Sequence, residues 1–122
     1  MSYSILIVED DPDGQAVISH IINHLDISYD VISNAEQAFE CLFQSDVLYH
    51  AVIIDLSLPG KDGWELLAEI RANSKTENTI CIAVTGYHDA ITRQEALASG
   101  FDAYFPKPLN ATDFAQSLSA LV

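Results

Sequence analysis

Short unbroken apolar runs alternate along the chain with longer stretches in which apolar residues recur every three or four positions. Ile5-Leu6-Ile7-Val8 has no polar member and is mostly β-branched, the pattern of a strand covered on both faces. Ala51-Val52-Ile53-Ile54 and residues 80–84 repeat it. Residues 29–32 make a weaker run, in which Asp30 predicts an edge position, and Ala103-Tyr104-Phe105 a short last strand. Between the runs, Pro12 suits a first helical turn behind an acidic cap, and Val17, Ile18, Ile21, Ile22 and Leu25 share one helical face. Asn34 predicts the cap of a helix with Ala35, Ala38, Phe39 and Leu42 on one side. Residues 59–63 read as a loop, with Gly60 and Gly63 as turn glycines. A helix follows, with Trp64 packing and Leu66, Leu67 and Ile70 inward. Residues 88–99 read as a weakly amphipathic helix closed by Gly100, and Ala111, Phe114, Ala115, Leu118 and Leu121 mark the last one. Gly14 costs a helix up to about 1 kcal/mol relative to Ala, and no local signal accounts for it.

Five strand–helix units in alternation predict a parallel sheet covered on both faces, wound in both directions from its middle. The 122 residues suit one domain, 1–122, and an apolar fraction of 49% is enough for a core. Eighteen acids face five bases, a formal charge of -13, and residues 1–60 carry ten acids and no Lys or Arg. That balance argues against nucleic acid and anionic membranes, both of which need clustered bases. No apolar run approaches a membrane span, and Met1-Ser2-Tyr3-Ser4 has neither feature of a secretory leader. Cys41 and Cys81 read as reduced thiols of a cytoplasmic protein, and His20, His24, His50 and His88 as solvated or packed side chains without ligand spacing.

In a sheet of this kind, ligands bind beyond the carboxyl ends of the strands. The first strand ends in Glu9-Asp10-Asp11, the third in Asp55, the fourth in Thr85-Gly86, and the fifth is followed by Lys107-Pro108. Acids from two strands, a hydroxyl and an ammonium therefore meet at one edge. Carboxylates brought together there repel, and a hard divalent cation such as Mg²⁺ resolves the repulsion. Metal and lysine together suit a phosphoryl group, and Asp55 becomes a metal ligand, a nucleophile forming an aspartyl phosphate, or both. Asp11 and Asp13, at a helix start, read as capping acids.

Four stretches carry a resemblance: Ile-Leu-Ile-Val-Glu-Asp-Asp-Pro-Asp at 5–13, Asp-Leu-Ser-Leu-Pro-Gly-Lys-Asp-Gly at 55–63, Val-Thr-Gly at 84–86, and Gly-Phe-Asp-Ala-Tyr-Phe-Pro-Lys-Pro-Leu at 100–109. In that order, each at a strand end, they resemble the receiver domain of a two-component response regulator, across essentially the whole chain. The resemblance implies a flavodoxin-like fold with strand order 2-1-3-4-5. It implies a phosphoacceptor rather than a turnover enzyme. Asp55 matches the phosphoacceptor, and Glu9 and Asp10 the pair that holds Mg²⁺ (or Mn²⁺), Glu being a common variant at the first position. Ser57 matches the residue whose carbonyl faces the metal. Thr85, with Gly86 beside it, and Lys107 match the groups that meet the phosphoryl oxygens. Tyr104 matches an aromatic switch that turns inward, against the plainer reading of core or rim packing. The Lys107–Pro108 bond is cis in that family. The implied partner is a histidine kinase or a histidine phosphotransfer protein, with the output through the face of the fourth helix, fifth strand and fifth helix.

Two departures bear on the output. Asp102 is followed by Ala103 where DNA-binding members of the winged-helix type carry an Asp-Asp pair, and the last helix holds Asp113 and no base. The ending Phe-Pro-Lys-Pro-Leu is more similar to receivers of hybrid kinases or stand-alone receivers. Three rivals fit less of the sequence. A haloacid dehalogenase-like phosphatase places its nucleophile after the first strand and needs a cap. A flavodoxin-like FMN module needs a hydroxyl-rich loop where Glu9-Asp10-Asp11 stands. A receiver-like module binding partners without phosphorylation would not need the complete residue set.

Overall fold

The computed structural model describes residues 4–58, 63–86 and 89–121. Strands β1 (Ser4–Val8), β2 (Ser28–Ile32), β3 (Ala51–Asp55), β4 (Ile80–Thr85) and β5 (Ala103–Pro106) alternate with helices α1 (Pro12–His24), α2 (Ala35–Phe43), α3 (Gly63–Ala72), α4 (Ala90–Ser99) and α5 (Ala111–Leu121). The sheet is parallel throughout, in the order β2-β1-β3-β4-β5, as the sequence resemblance implied. Strands β1 and β3 are adjacent, with Ile5 opposite Ala51 and Val8 opposite Ile54. Their acidic ends are therefore neighbours.

The apolar runs are buried because each strand has a helix layer on either face. One layer joins Leu6, Val8, Val52 and Ile54 to Leu66, Leu67 and Ile70 of α3 and to Ala38 and Leu42 of α2. The other joins Ile5, Ile7 and Ile53 to Ile18, Ile21 and Ile22 of α1 and to Phe114 and Leu118 of α5. Strand β2 lies at the edge, and Asp30 on it accepts a hydrogen bond from the Tyr49 hydroxyl at 2.7 Å. No described helix is long and apolar enough to cross a membrane.

Local signals explain most helix boundaries. Asp11 caps α1 with Pro12 in the first turn, Asn34 caps α2, and Asp89 caps α4 through a 2.7 Å bond from the Thr92 amide. That last cap starts α4 at Ala90 rather than at 88, a residue outside those described. Gly100 closes α4 with φ 118°, a left-handed geometry costly for any side chain. Gly63 is not in a turn: it opens α3, where a Cβ would meet the Asp55 carbonyl at 2.6 Å. Gly60 and Lys61 lie outside the described residues. Two residues expected in the core are not there. Val17 is 45% exposed over a cleft between α1 and the segment after β5, and Phe39 is 38% exposed, its ring tilted against Phe43 one turn along with centroids 4.9 Å apart. Trp64 packs edge-on against Phe101, and both cysteines are free, with burial pushing the Cys81 thiol up to about 12.

Arg71, at the end of α3, ties three segments together. Its guanidinium donates to the carbonyls of Glu77, Thr79 and Gly100 and to Asp102. The same Asp102 oxygen accepts from the Cys81 amide at 2.9 Å. Asp102, although exposed, thus joins the Arg71 guanidinium to the start of β4. Arg71→Met keeps the alkyl packing and strands these acceptors; partial exposure to water limits the expected loss to about 2 kcal/mol, read by urea unfolding, with Mg²⁺ affinity unchanged. A wild-type unfolding curve would remove Arg71 as the tie.

Candidate functional site

The carboxyl ends of β1 and β3 bring together one oxygen each from Glu9, Asp10 and Asp55, all within 4.8 Å of one another. Glu9 and Asp55 are buried, at 1% and 5% exposure, and Asp10 is open to solvent. Lys107, just past β5, places its ammonium against Glu9 Oε1 and 3.3 Å from Asp55 Oδ2. The Ser57 amide donates to Asp55 Oδ1 at 2.9 Å, which turns the loop back over the carboxylate. Thr85, the last residue of β4, is buried, and its carbonyl accepts from the Lys107 amide at 2.8 Å. That bond fixes the lysine's backbone to the strand next to Asp55. Gly86 is exposed beside it, and the Lys107–Pro108 peptide is cis. Tyr104 is buried in the apolar layer that holds Ala96 and Phe101, and burial raises its hydroxyl above the ordinary value. Asp11 and Asp13 act at the helix start, the Asp11 carboxylate accepting from the Asp13 amide at 3.3 Å.

The electrostatics separate the two buried acids. Burial, then the hydrogen bond it shares with Asp55, pushes the Glu9 carboxyl up from 4.5 to about 7, against the pull of Lys107. Burial raises Asp55 too, but the Glu9 carboxyl, the Ser57 amide and Lys107 outweigh it and hold Asp55 below its ordinary value. Burial lowers Lys107, and the two carboxylates more than reverse that, so the amine stays charged. Of the two buried acids, Glu9 is thus the one that takes up a proton more readily, as pH falls through about 7, and Asp55 the one that keeps its charge.

This set fits a hard divalent cation. Glu9 Oε1 is buried against the Lys107 ammonium; with Asp10 and Asp55 it forms an all-oxygen donor set open to solvent on the Asp10 side. Glu9, Asp10 and Asp55 would hold the ion.

Two residues that the sequence did not point to shape the site. Gln15 Nε2 donates to the Glu9 carbonyl at 2.7 Å and to Ser33 Oγ at 3.3 Å, tying the turn after β1 to the end of β2. Gly14 explains itself only here. A Cβ at position 14 would lie 2.8 Å from Glu9 Cδ and closer still to Oε1, so the helix gives up a side chain to admit a glutamate. An i, i+5 spacing from a strand end into a helix carries no sequence signal for such a contact.

The comparisons agree with this geometry. Residues 5–119 match the family model described as the response regulator receiver domain, and the chain belongs to that family. It is 34% identical over 106 residues to a 14.6 kDa protein from the sodA1 3' region of Leptolyngbya boryana, covering 87% of this chain and 79% of that protein. It is 35% identical over 123 residues to the transcriptional regulatory protein AruR of Pseudomonas aeruginosa, covering 97% of this chain but 48% of AruR. It superposes with a TM-score of 0.87 on the receiver domain of the sensor histidine kinase PA1611 of Pseudomonas aeruginosa, which holds a magnesium ion in its active-site cleft. Identity to that domain is 27%, with 99% and 98% of the two chains covered. A receiver domain is a phosphoacceptor and not a turnover enzyme, and receivers partner with histidine kinases.

Two outcomes are expected. Mg²⁺ must displace the Glu9 proton, so its apparent affinity by calorimetry should be about tenfold weaker at about pH 6 than at about pH 8. In metal-free protein the folded state holds that proton more tightly than the unfolded state, so stability falls as pH rises from 4.5 toward about 7. Glu9→Gln should abolish both dependences; a pH-independent Mg²⁺ isotherm in the wild type would refute the assignment. Separately, Gly14→Ala gains helix propensity of up to about 1 kcal/mol yet displaces Glu9, so Mg²⁺ affinity should drop while thermal stability does not. Unchanged Mg²⁺ affinity in that variant would show that the glycine is dispensable to the site.

Proposed function

We propose that the protein is a phosphorylation-dependent signalling switch in which Asp55 accepts a phosphoryl group from a phosphohistidine on a histidine kinase or phosphotransfer partner. The observation that carries this reading is the buried Asp55, held below its ordinary pKa, gathered with Glu9, Asp10 and Lys107 at one edge of the sheet. An Asp55 oxygen attacks phosphorus, the N–P bond breaks, and the imidazole leaves with its electron pair and takes up a proton. Glu9, Asp10, Asp55 and the Ser57 carbonyl would hold Mg²⁺ (or Mn²⁺), which would neutralise part of the phosphoryl charge.

The chain's own residues supply the rest. Lys107 remains charged and meets a phosphoryl oxygen, a role its present contact with Asp55 prepares. The Thr85 hydroxyl and the Gly86 amide stand at the neighbouring strand end to receive another. The added charge draws Thr85 toward Asp55, and the space it leaves is what Tyr104 responds to, one strand away and already enclosed. The face of α4, β5 and α5 carries the change to an output partner; α4 there exposes Ile91 and Leu97, at 66% and 41%.

Acetyl phosphate tests the reaction without a cognate kinase. The intact mass should rise by one phosphoryl group in the presence of Mg²⁺, and not without it or in Asp55→Asn. Lys107→Met should slow the gain by about a hundredfold. Equal labelling of Asp55→Asn would place the acceptor elsewhere, and no labelling of the wild type would favour a module that binds partners unphosphorylated.

A further inference from the structure

His20 and His24 stand one turn apart at the end of α1, both exposed, outside the site described above. Their Nε2 atoms are 3.2 Å apart, with the rings nearly perpendicular at 84°. The spacing matters because two imidazoles sharing one ion at bond lengths of about 2.1 Å place their nitrogens about 3.0 Å apart at a right angle and about 3.4 Å apart in a tetrahedron. The observed separation lies between the two.

We propose that His20 and His24 form a second metal site, which chelates a late first-row divalent ion of the Zn²⁺, Ni²⁺ or Cu²⁺ class. Imidazole nitrogen selects such ions, whereas the all-oxygen cluster around Asp55 suits Mg²⁺, so the two sites differ in ligand chemistry. Three features favour occupancy. His24 lies in the last turn of α1, where the helix dipole is negative. A protein of formal charge -13 concentrates cations at its surface. The pair also opens into a cleft of about 390 Å³ against α5, whose lining includes Thr112 and Gln116 and no Lys or Arg, which leaves room for water or an oxygen ligand to complete the shell. The metal would staple the last turn of α1, and its binding would add to the stability of the folded chain by mass action.

The test is calorimetric titration of the intact chain with Zn²⁺ under saturating Mg²⁺, which keeps the acidic cluster filled. The wild type should show one Zn²⁺ site. His20→Gln and His24→Gln should each weaken it by at least about tenfold, while leaving Mg²⁺ affinity and labelling by acetyl phosphate unchanged. The His20 and His24 ring resonances should shift together on Zn²⁺ addition. Zn²⁺ binding that survives both substitutions, or that disappears in Asp10→Asn, would overturn the proposal by placing the ion elsewhere. Absence of Zn²⁺ binding to the wild type up to millimolar concentration would also overturn it, leaving the pair an imidazole–imidazole hydrogen bond only.

Discussion

Mutual repulsion between carboxylates at the ends of adjacent parallel strands governs this molecule. Strands β1 and β3 pair in register, so their acidic ends cannot move apart without unpicking the ladder. Burial makes the repulsion worse, because little water reaches Glu9 and Asp55 to screen them. The chain answers in three ways. Lys107 lies against both acids, the Ser57 amide supports Asp55, and Glu9 takes up a proton more readily than a free carboxyl. Each of these also suits the site to metal and phosphoryl group: the proton can be displaced, and the lysine can exchange a carboxylate for a phosphoryl oxygen.

With only five Lys and Arg in the chain, the placement of each base is consequential. Lys107 serves the acidic edge. Arg71 serves the opposite need, gathering carbonyls from the segment before β4 and from the end of α4, with Asp102 as its counter-charge. Lys75 donates to the Ser45 carbonyl at 2.9 Å, bridging the segments that follow α3 and α2. At least three of the five bases are thus engaged within the domain, which is consistent with a surface that presents little positive charge to a polyanion. The separation of roles also keeps the site adjustable: changing the charge at Asp55 need not disturb the Arg71 tie, which is built on a different set of acceptors.

Much of the fold was legible in the chain because it rests on short-range patterning. Apolar runs too short for helices, two-sided burial, capping residues at Asp11 and Asn34, and the terminal Gly100 each act over a few residues. The failures share one cause, which is that periodicity gives a face but not what lies opposite it. Val17 shares a helical face with Ile18 and Ile21, yet a cleft faces it rather than the sheet. Phe39 packs at a tilt against Phe43 in partial exposure. Gly63 looked like a turn residue beside Asp62 and became the contact between α3 and β3. His20 and His24 lie at a spacing that one helical turn converts into a 3.2 Å approach, a relation visible only once the rotamers are known.

By itself the sequence determined the order of elements, the identity of the acids, hydroxyl and lysine at the strand ends, and the family in which that combination occurs. Those depend on residue type and on position along the chain. The tertiary structure decided which of the acids carries the proton, since that follows from burial and from distances between strands. It also decided why position 14 is glycine, where Arg71 and Asp102 are committed, and which two histidines meet. Apart from the histidine pair, which needs only the rotamers of one helix, these are relations across space between distant or differently structured segments, and the packing of α1 and α3 on the sheet that contains β5 creates them.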